Sequence, residues 1–337
     1  MSLDTRQSFH TVGRRKALAL GVAALAAHAL PVRAAAGWPS RSIRIVAGQA
    51  PGSSNDVTAR AYADFISQKL GVAAVVESKP GGLGMIAADA VAHAAPDGYT
   101  LLMSLHSQLA QAPALLKKVP LDTDKDLLPI MAVGVGPVVG AVNKNFAAQT
   151  LEEVIAYSKK KPVNVGNYSI GSGWQLMLAQ LAKDTGGQFN IVNYKGTGEM
   201  LKDLYAGTVD MGAGSLAGIG AAIDQGAIKP VVITVGEKSS RLPGVPRWVD
   251  VGFKGPAYED LAECNMLFAP AGTPPDVVQR LADLAVASAK ESPRMQSVLE
   301  TLHEEGPILT GEALRKFIAR TWPSYRRLTR ELHLSVD

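Results

Sequence analysis

Cysteine, excess charge and long apolar runs are all scarce in this chain of 337 residues. Cys264 is the only cysteine, which excludes a disulfide within one chain and a lipid-attachment cysteine near the amino terminus. Of the 34 basic and 30 acidic residues, five basic and one acidic fall within the first 36 positions, so 29 of each sign remain beyond them. Such a balance argues against nucleic acid or an anionic membrane as the natural partner.

The sequence also lacks the motifs of common enzymes. Neither Ser172 nor Ser215 lies in the Gly-x-Ser-x-Gly turn that exposes a nucleophile, and no dinucleotide fingerprint or phosphate-binding loop is found. His, Cys, Asp and Glu do not occur at the spacings of a zinc site. A serine hydrolase using Ser172 or Ser215 is the enzymatic alternative, but it needs a base within hydrogen-bonding distance. We therefore predict no catalytic residue, no metal and no cofactor.

The first 36 residues are predicted to be an export signal. Arg14, Arg15 and Lys16 precede an apolar run over residues 17–30, and alanines at 34–36 offer a cleavage site. The run is shorter than the roughly 20 residues that a membrane-spanning helix needs. The paired arginines also agree with twin-arginine export of a folded protein. We expect a soluble periplasmic protein after cleavage near residue 36.

From Trp38 onward, predicted strands and helices alternate, and the strands end in loops of small or polar residues. The first such loop covers residues 48–56 and precedes a helix that the apolar spacing predicts from Val57 to Leu70. Unpaired N–H groups and the helix dipole make such a helix start favourable for an anion. Similar loops follow at 77–84 and 104–108. In a doubly wound parallel sheet these loops lie along one edge, where ligands bind.

Two apolar stretches are predicted to cross between two domains. Residues 130–142 are apolar but interrupted by glycine and proline, and residues 266–269 form a second apolar strand. Between them the α/β pattern starts again. We therefore predict two doubly wound α/β domains joined by two crossing strands, with residues 37–137 and 263–337 in domain 1 and residues 138–262 in domain 2. Two connections permit domain closure about a ligand.

Short motifs recur along almost the whole mature chain, and their order and spacing are more specific than any one of them. They are Pro51, Gly52, Asp56, Ala59 and Arg60, then 80–82 with Gly84, 96–100, 171–173, 194–196, Asp203, Leu204, Ala206, Gly207, Asp210, 241–243, Val245, Pro246 and 270–274. In this order they resemble the Bug family, the periplasmic solute-binding proteins of tripartite tricarboxylate transporters. The resemblance implies the type II periplasmic binding-protein fold, which closes like a Venus flytrap.

The same resemblance implies that a small organic acid binds in the cleft between the domains and is passed to the membrane subunits of a tripartite transporter. Backbone amides and hydroxyls, partly through water, would hold its carboxylate. The residues that would do so are Ser53, Ser54, Gly81, Gly82, Ser169 and Ser172. Family members usually carry an aromatic–proline pair before the first glycines, whereas residues 48–50 here are Gly, Gln and Ala. The wall there should be more polar, so the family's usual small dicarboxylates are not assumed as ligands.

Further residues are candidates on their position in the predicted loops. Asp56 would either orient an amino or hydroxyl group of a ligand or cap its own helix. His106 lies at the inferred cleft edge, and Lys195 would either meet a distal carboxylate or remain solvated. The full set of predicted ligand-binding residues is Gly52, Ser53, Ser54, Asp56, Gly81, Gly82, His106, Ser107, Ser169, Ser172, Lys195 and Ser215.

The sequence leaves the role of binding open between two classes of partner. A ligand-loaded sensor that docks on a signalling kinase would share the fold and the cleft with a transport receptor. In either role we expect a monomer that binds a small carboxylate and leaves it chemically unchanged.

Overall fold

The computed structural model describes residues 37–234, 238–239, 241–302 and 307–335, so the predicted export signal lies outside the described residues. The strands are β1 Ile43–Ala47, β2 Ala74–Ser78, β3 Thr100–Leu105, β4 Leu127–Gly136, β5 Val138–Asn143, β6 Val163–Asn167, β7 Phe189–Asn193, β8 Met211–Ser215, β9 Ile228–Ile233, β10 Glu263–Pro270 and β11 Leu309–Thr310. The helices are α1 Ser54–Leu70, α2 Met85–Ala92, α3 His106–Leu115, α4 Leu151–Ser158, α5 Gly173–Thr185, α6 Thr197–Ala206, α7 Leu216–Asp224, α8 Pro256–Glu259, α9 Pro275–Glu291, α10 Pro293–Leu302 and α11 Gly311–Glu331. Short 3₁₀ turns add Gly82–Gly84 and Trp248–Val251.

The first sheet has six strands in the order β11-β4-β10-β3-β1-β2. Its β1 pairs in parallel with β2 and β3, while β10 is antiparallel to both β3 and β4. This sheet, with the helices packed on it, is called the first lobe below. Because β1, β2 and β3 run in the same direction, the loops that follow them lie at one edge of the sheet.

Helix α1 begins earlier than the apolar spacing predicts. It starts at Ser54 rather than Val57, because Ser53 adopts an extended conformation and its Oγ accepts a hydrogen bond from the backbone N–H of Asp56, 3.2 Å away. Gly71 ends the helix in the left-handed conformation, at φ 68°. The early start brings the helix amino terminus close to the end of β1.

The second sheet has five strands in the order β7-β6-β8-β5-β9. Its β6 is parallel to β7 and β8, and β5 is antiparallel to β8 and β9. A glycine is needed in β5, since a Cβ at Gly140 would lie only 2.8 Å from side-chain atoms of both Trp174 and Val232. This sheet and its helices form the second lobe.

The two lobes are joined where β4 passes into β5 and where the chain enters β10. Strand β4 ends in the first sheet at Gly136 and β5 begins in the second at Val138, so Pro137 marks the first crossing. Glu263 pairs with Gly136, which places the two connections side by side. The prediction that residues 266–269 form the second crossing is wrong. Strand β10 lies wholly within the first sheet and is buried because it is a central strand.

The carboxy-terminal helices pack on the first lobe, and both also contact the second. Helix α11 packs on α3, and α10 packs against α1 in the first lobe and α7 in the second. Among the described helices, none combines the length and the apolarity that crossing a membrane would require.

Candidate functional site

A cavity of about 700 Å³ is lined by loops of both lobes. Residues 49–54 form its wall on the first lobe, and residues 195–199 with Ser215 and Gly218 form its wall on the second. Residues 263–265 of β10 line it next to the crossing, and α10 adds Arg294, Ser297 and Val298. Three helices, α1, α6 and α7, begin at these walls, so their amino-terminal N–H groups and dipoles are brought to one cavity.

The wall on the first lobe is held in shape by Asp56. Its Oδ2 accepts a hydrogen bond from the backbone N–H of Gly52 at 3.0 Å, and its Oδ1 lies 2.9 Å from Nη2 of Arg60. Burial acts to raise the pKa of Asp56, but the bonds from Arg60, Gly52 and Ser78 outweigh it, so the pKa lies below its ordinary value. Asp56 is not among the cavity-lining residues. It therefore braces the loop that carries Gly52 and Ser53.

The wall on the second lobe combines two close-fitting turns. A Cβ at Gly218 would lie 2.8 Å from Cγ2 of Thr197, so the starts of α6 and α7 touch. Ser215 caps α7, because its Oγ accepts from the backbone N–H of Gly218 at 3.3 Å. The Lys195 side chain is exposed, and within the described part of the chain its ammonium group has no ion-pair partner.

Arg294 is the other cation of the lining, and it pairs with Asp64. The ammonium group of Lys195 is therefore the cation most available to an anionic ligand.

The cavity floor near the crossing contains a buried carboxylate that the sequence analysis missed. Glu263 Oε1 accepts from the backbone N–H of Gly173 at 2.5 Å and from the hydroxyl of Tyr168 at 3.1 Å, and Oε2 accepts from Ser107 Oγ at 2.8 Å. Burial raises the pKa of Glu263 to about 7, and the three hydrogen bonds oppose that rise. Beside it, Asn265 donates to Ser54 Oγ at 2.9 Å.

The predicted site residues divide between the cavity and other places. Those that line the cavity are Gly52, Ser53, Ser54, Lys195 and Ser215. The lining does not include Asp56, Gly81, Gly82, His106, Ser107, Ser169 and Ser172.

His106 is fully buried in the first lobe. Its Nε2 lies 2.6 Å from the carbonyl oxygen of Ala262, and its ring packs against Phe317 and Tyr325. Burial lowers the pKa of His106 to about 4, so the ring is neutral near pH 7. It begins α3 rather than lying in a loop.

Three of the other predicted residues, Ser107, Ser169 and Ser172, lie in or beside a second contact between the lobes, here called the rear seam. Gln108 Nε2 donates to Ser169 Oγ at 3.0 Å, and Ser107 reaches Glu263 as described. Ser172 caps α5 through the backbone N–H of Gln175 and donates to Asn167 Oδ1 at 2.6 Å. Gln111 Nε2 also donates to the carbonyl oxygen of Gly171. The rear seam thus consists of Ser107, Gln108, Gln111, residues 169–173 and Glu263.

Gly81 and Gly82 are exposed beside the rear seam. The next residue, Leu83, packs close to Gly171, at which a Cβ would lie 3.1 Å from Leu83 Cδ2. Within the described residues, no group of three or more His, Cys, Asp or Glu side chains is placed to hold a metal ion.

Comparisons with known proteins agree with this architecture. A family model described as "Tripartite tricarboxylate transporter family receptor" matches residues 58–334. Protein BugT of Bordetella pertussis is 30% identical over 300 residues, which cover 87% of this chain and 90% of BugT.

Two solved structures share the fold. The periplasmic binding protein BugD superposes with a TM-score of 0.77 at 27% identity, over 89% of this chain and 100% of BugD. MatC from Rhodopseudomonas palustris with bound malate gives a TM-score of 0.69 at 27% identity, over 88% of this chain and 97% of MatC. The predicted fold class, two α/β domains of the type II periplasmic binding-protein kind, is confirmed. This chain belongs to the tripartite tricarboxylate transporter receptor family, the Bug family of solute-binding proteins.

Proposed function

We propose that this protein captures a small organic acid in the cavity between its lobes and delivers it to the membrane subunits of a tripartite transporter. The observation that carries the proposal is the meeting of three helix amino termini, those of α1, α6 and α7, at one cavity of about 700 Å³. Backbone N–H groups at helix starts stabilise a carboxylate by hydrogen bonds and by the helix dipole. The malate bound in MatC is in keeping with an acid as the ligand class.

Capture is proposed to proceed by closure about the two crossings. We divide the chain into domain 1, residues 37–137 and 263–337, and domain 2, residues 138–262. In support, the chain changes sheets at Pro137, and the second connection meets the first where Glu263 pairs with Gly136. Because a ligand in the cavity touches both walls, it favours the closed arrangement by the contacts that only this arrangement allows.

The ligand leaves the cavity unchanged in this proposal. The two serines considered as nucleophiles, Ser172 and Ser215, each cap a helix, and Ser172 donates to Asn167 rather than to a base. We further propose that the mature protein is a periplasmic monomer released by cleavage near residue 36, and that it meets no nucleic acid.

The test is a thermal-shift and calorimetric screen of mono-, di- and hydroxycarboxylates with the purified protein. A specific ligand at 100 times its dissociation constant stabilises the folded state by about 2.7 kcal/mol. Val57→Trp supplies the variant, since Val57 lines the cavity, is 39% exposed and makes no side-chain hydrogen bond that would be lost. We expect it to weaken binding at least about tenfold by filling the cavity.

Val75→Trp is the matched control, because Val75 is 52% exposed on β2 and lies outside the cavity lining. It should bind as the wild type does. If no acid shifts the melting temperature of the wild type, the proposed function is wrong. Equal binding by Val57→Trp and Val75→Trp would show instead that the ligand sits elsewhere.

A further inference from the structure

The charges around the cavity are arranged unevenly. On the second lobe the lining offers the exposed ammonium group of Lys195, and the helix starts at the two walls offer N–H groups. At the crossing the lining includes Glu263, which is only 7% exposed and whose carboxylate accepts hydrogen bonds from Gly173, Tyr168 and Ser107. A ligand that fills the cavity therefore meets hydrogen-bond donors at the walls and contacts residue Glu263 at the floor.

Glu263 can accept one more hydrogen bond than the described residues are seen to donate to it. A carboxylate has about four acceptor positions, and the backbone N–H of Gly173 and the hydroxyls of Tyr168 and Ser107 use three of them. Oε1 carries two of these bonds and Oε2 carries one, so the remaining position belongs to Oε2. A hydrogen bond stabilises most when it supplies a donor to a buried acceptor that would otherwise lack one.

We propose that Glu263 is a specificity-determining residue. It makes the cavity prefer acids with a hydroxyl or ammonium donor at the end of the carbon chain opposite the carboxylate. Plain dicarboxylates bind less tightly. The inference rests on the proposed function and names its ligand class. The carboxylate of such an acid binds at the helix starts, and the donor completes the hydrogen bonding of Glu263 Oε2. A second ligand carboxylate would instead face Glu263 as a like charge in a site poor in water, where repulsion is strong.

Among the residues that the structure describes, no other group that faces Glu263 supplies this selectivity. Tyr168 and Tyr325 have pKa values raised by burial and stay neutral near pH 7, as does His106, whose pKa burial lowers to about 4. The Cys264 thiol adjoins it on β10. The remaining charged groups of the lining, Lys195, Glu199 and Arg294, lie on the second lobe or on α10. Glu263 is thus the carboxylate at the floor that would distinguish a ligand ending in a hydrogen-bond donor from a ligand ending in a second carboxylate.

The experiment uses two sets of acids matched in length. The first set is 4-hydroxybutyrate, 4-aminobutyrate, butyrate and succinate, and the second is the corresponding six-carbon series that ends in adipate. Binding is measured by calorimetry at pH 8, where Glu263 is mostly ionised because its pKa is about 7. In the set that fits the cavity, we expect the hydroxy or amino acid to bind at least about tenfold more tightly than the dicarboxylate.

Glu263→Gln removes the charge and keeps the shape, so it should reduce this preference at least about fivefold, mainly by improving dicarboxylate binding. Glu152→Gln makes the same charge change at an exposed position of α4 and should leave the preference as in the wild type. Comparing hydroxybutyrate with aminobutyrate then shows which donor the cavity prefers.

A measurement on the unmutated protein keeps the test independent of how the variant folds. Lowering the pH from 8 to 6 protonates Glu263, so the wild-type preference should shrink towards that of Glu263→Gln. A preference that changes neither with pH nor with the substitution overturns the inference and leaves acid binding intact. Failure of every acid to bind would overturn the proposed function as well.

Discussion

The rear seam and the cavity walls both bring helix amino termini to the contact between the lobes, but only at the seam does a carboxylate of one lobe bind a helix start of the other. At the seam, Glu263 of the first lobe accepts from the backbone N–H of Gly173, the first residue of α5 in the second lobe. At the walls, Asp56 and Glu199 accept hydrogen bonds from groups of their own lobe. The seam therefore joins the two lobes by direct hydrogen bonds, whereas the walls are left for a ligand.

This difference gives each region a separate task. The seam is buried and joined by side-chain bonds such as Gln108 to Ser169, so in the proposed closure it would be the fixed point. The wall loops are braced within one lobe, so the two walls can separate without breaking those bonds. Glu263 belongs to both regions, because it also lines the cavity. Substitutions elsewhere in the seam should therefore alter the free energy of unfolding, and substitutions in the walls should alter ligand binding.

The largest expected effect comes from filling the seam with a side chain. In Gly173→Val, the new Cβ would lie 2.8 Å from Tyr325 Oη and 3.1 Å from the carbonyl oxygen of Leu261. Because the carbonyl belongs to the backbone and cannot swing away, we expect a loss of about 3 kcal/mol in the free energy of unfolding, measured by urea denaturation.

Gly196→Val is the matched change in the wall. Nothing lies within 4 Å of a Cβ there, and the φ of Gly196 is 165°, an extended conformation open to any residue. Its free energy of unfolding should fall by less than about 0.5 kcal/mol. Equal losses in the two variants would contradict the division of tasks.

The second effect is the pH dependence that Glu263 gives to stability. Its pKa is about 7 in the folded protein and near 4.5 when unfolded, so the folded state keeps a proton that the unfolded state releases. This contribution to stability is full below about pH 4.5 and is lost as the pH rises through 7, by about 3 kcal/mol. His106 acts in the opposite direction, because its pKa of about 4 makes stability rise with pH up to about 6.5.

The two groups are separated by comparing variants rather than by one curve. We compare the free energies of unfolding of Glu263→Gln and the wild type at each pH. The value for Glu263→Gln minus that for the wild type should rise by about 2 kcal/mol between pH 5 and pH 8. Glu152→Gln should follow the wild type at every pH. A constant difference between Glu263→Gln and wild type would mean that Glu263 is not buried as described.

The fold was largely predictable because its signals are local. Alternating apolar strands, helix stops such as Gly71 and the interrupted run ending in β5 all follow from side-chain periodicity and glycine or proline chemistry. The second crossing was misplaced for a physical reason. An apolar run marks burial, and β10 is buried as a central strand of one sheet rather than as a link between two.

The site was predictable only in part, since a Gly/Ser loop has the same composition whether it faces a ligand or the other lobe. Ser53 and Ser172 look alike in the sequence and both cap helices, yet one lines the cavity and the other lies in the seam. What divides them is the packing of one lobe on the other, which no local pattern contains. Glu263 had a usable signal, namely a carboxylate opening an otherwise apolar strand.

Lys195→Gln in the wall should have the smallest effect on stability. Its effect on ligand binding should be purely electrostatic. The Lys195 side chain is exposed and has no ion pair within the described residues, so the free energy of unfolding should change by less than about 0.5 kcal/mol. Binding of an acid should weaken about three- to tenfold at low salt, because a nearby positive charge is lost, and the loss should shrink at about 0.5 M salt as screening removes the attraction.

Lys159→Gln, which changes an exposed lysine after α4 in the same lobe, supplies the charge-matched control and should bind as the wild type does. A salt-independent loss in Lys195→Gln would point to a direct hydrogen bond with the ligand, and an unchanged affinity would place the carboxylate at the first-lobe wall, away from Lys195.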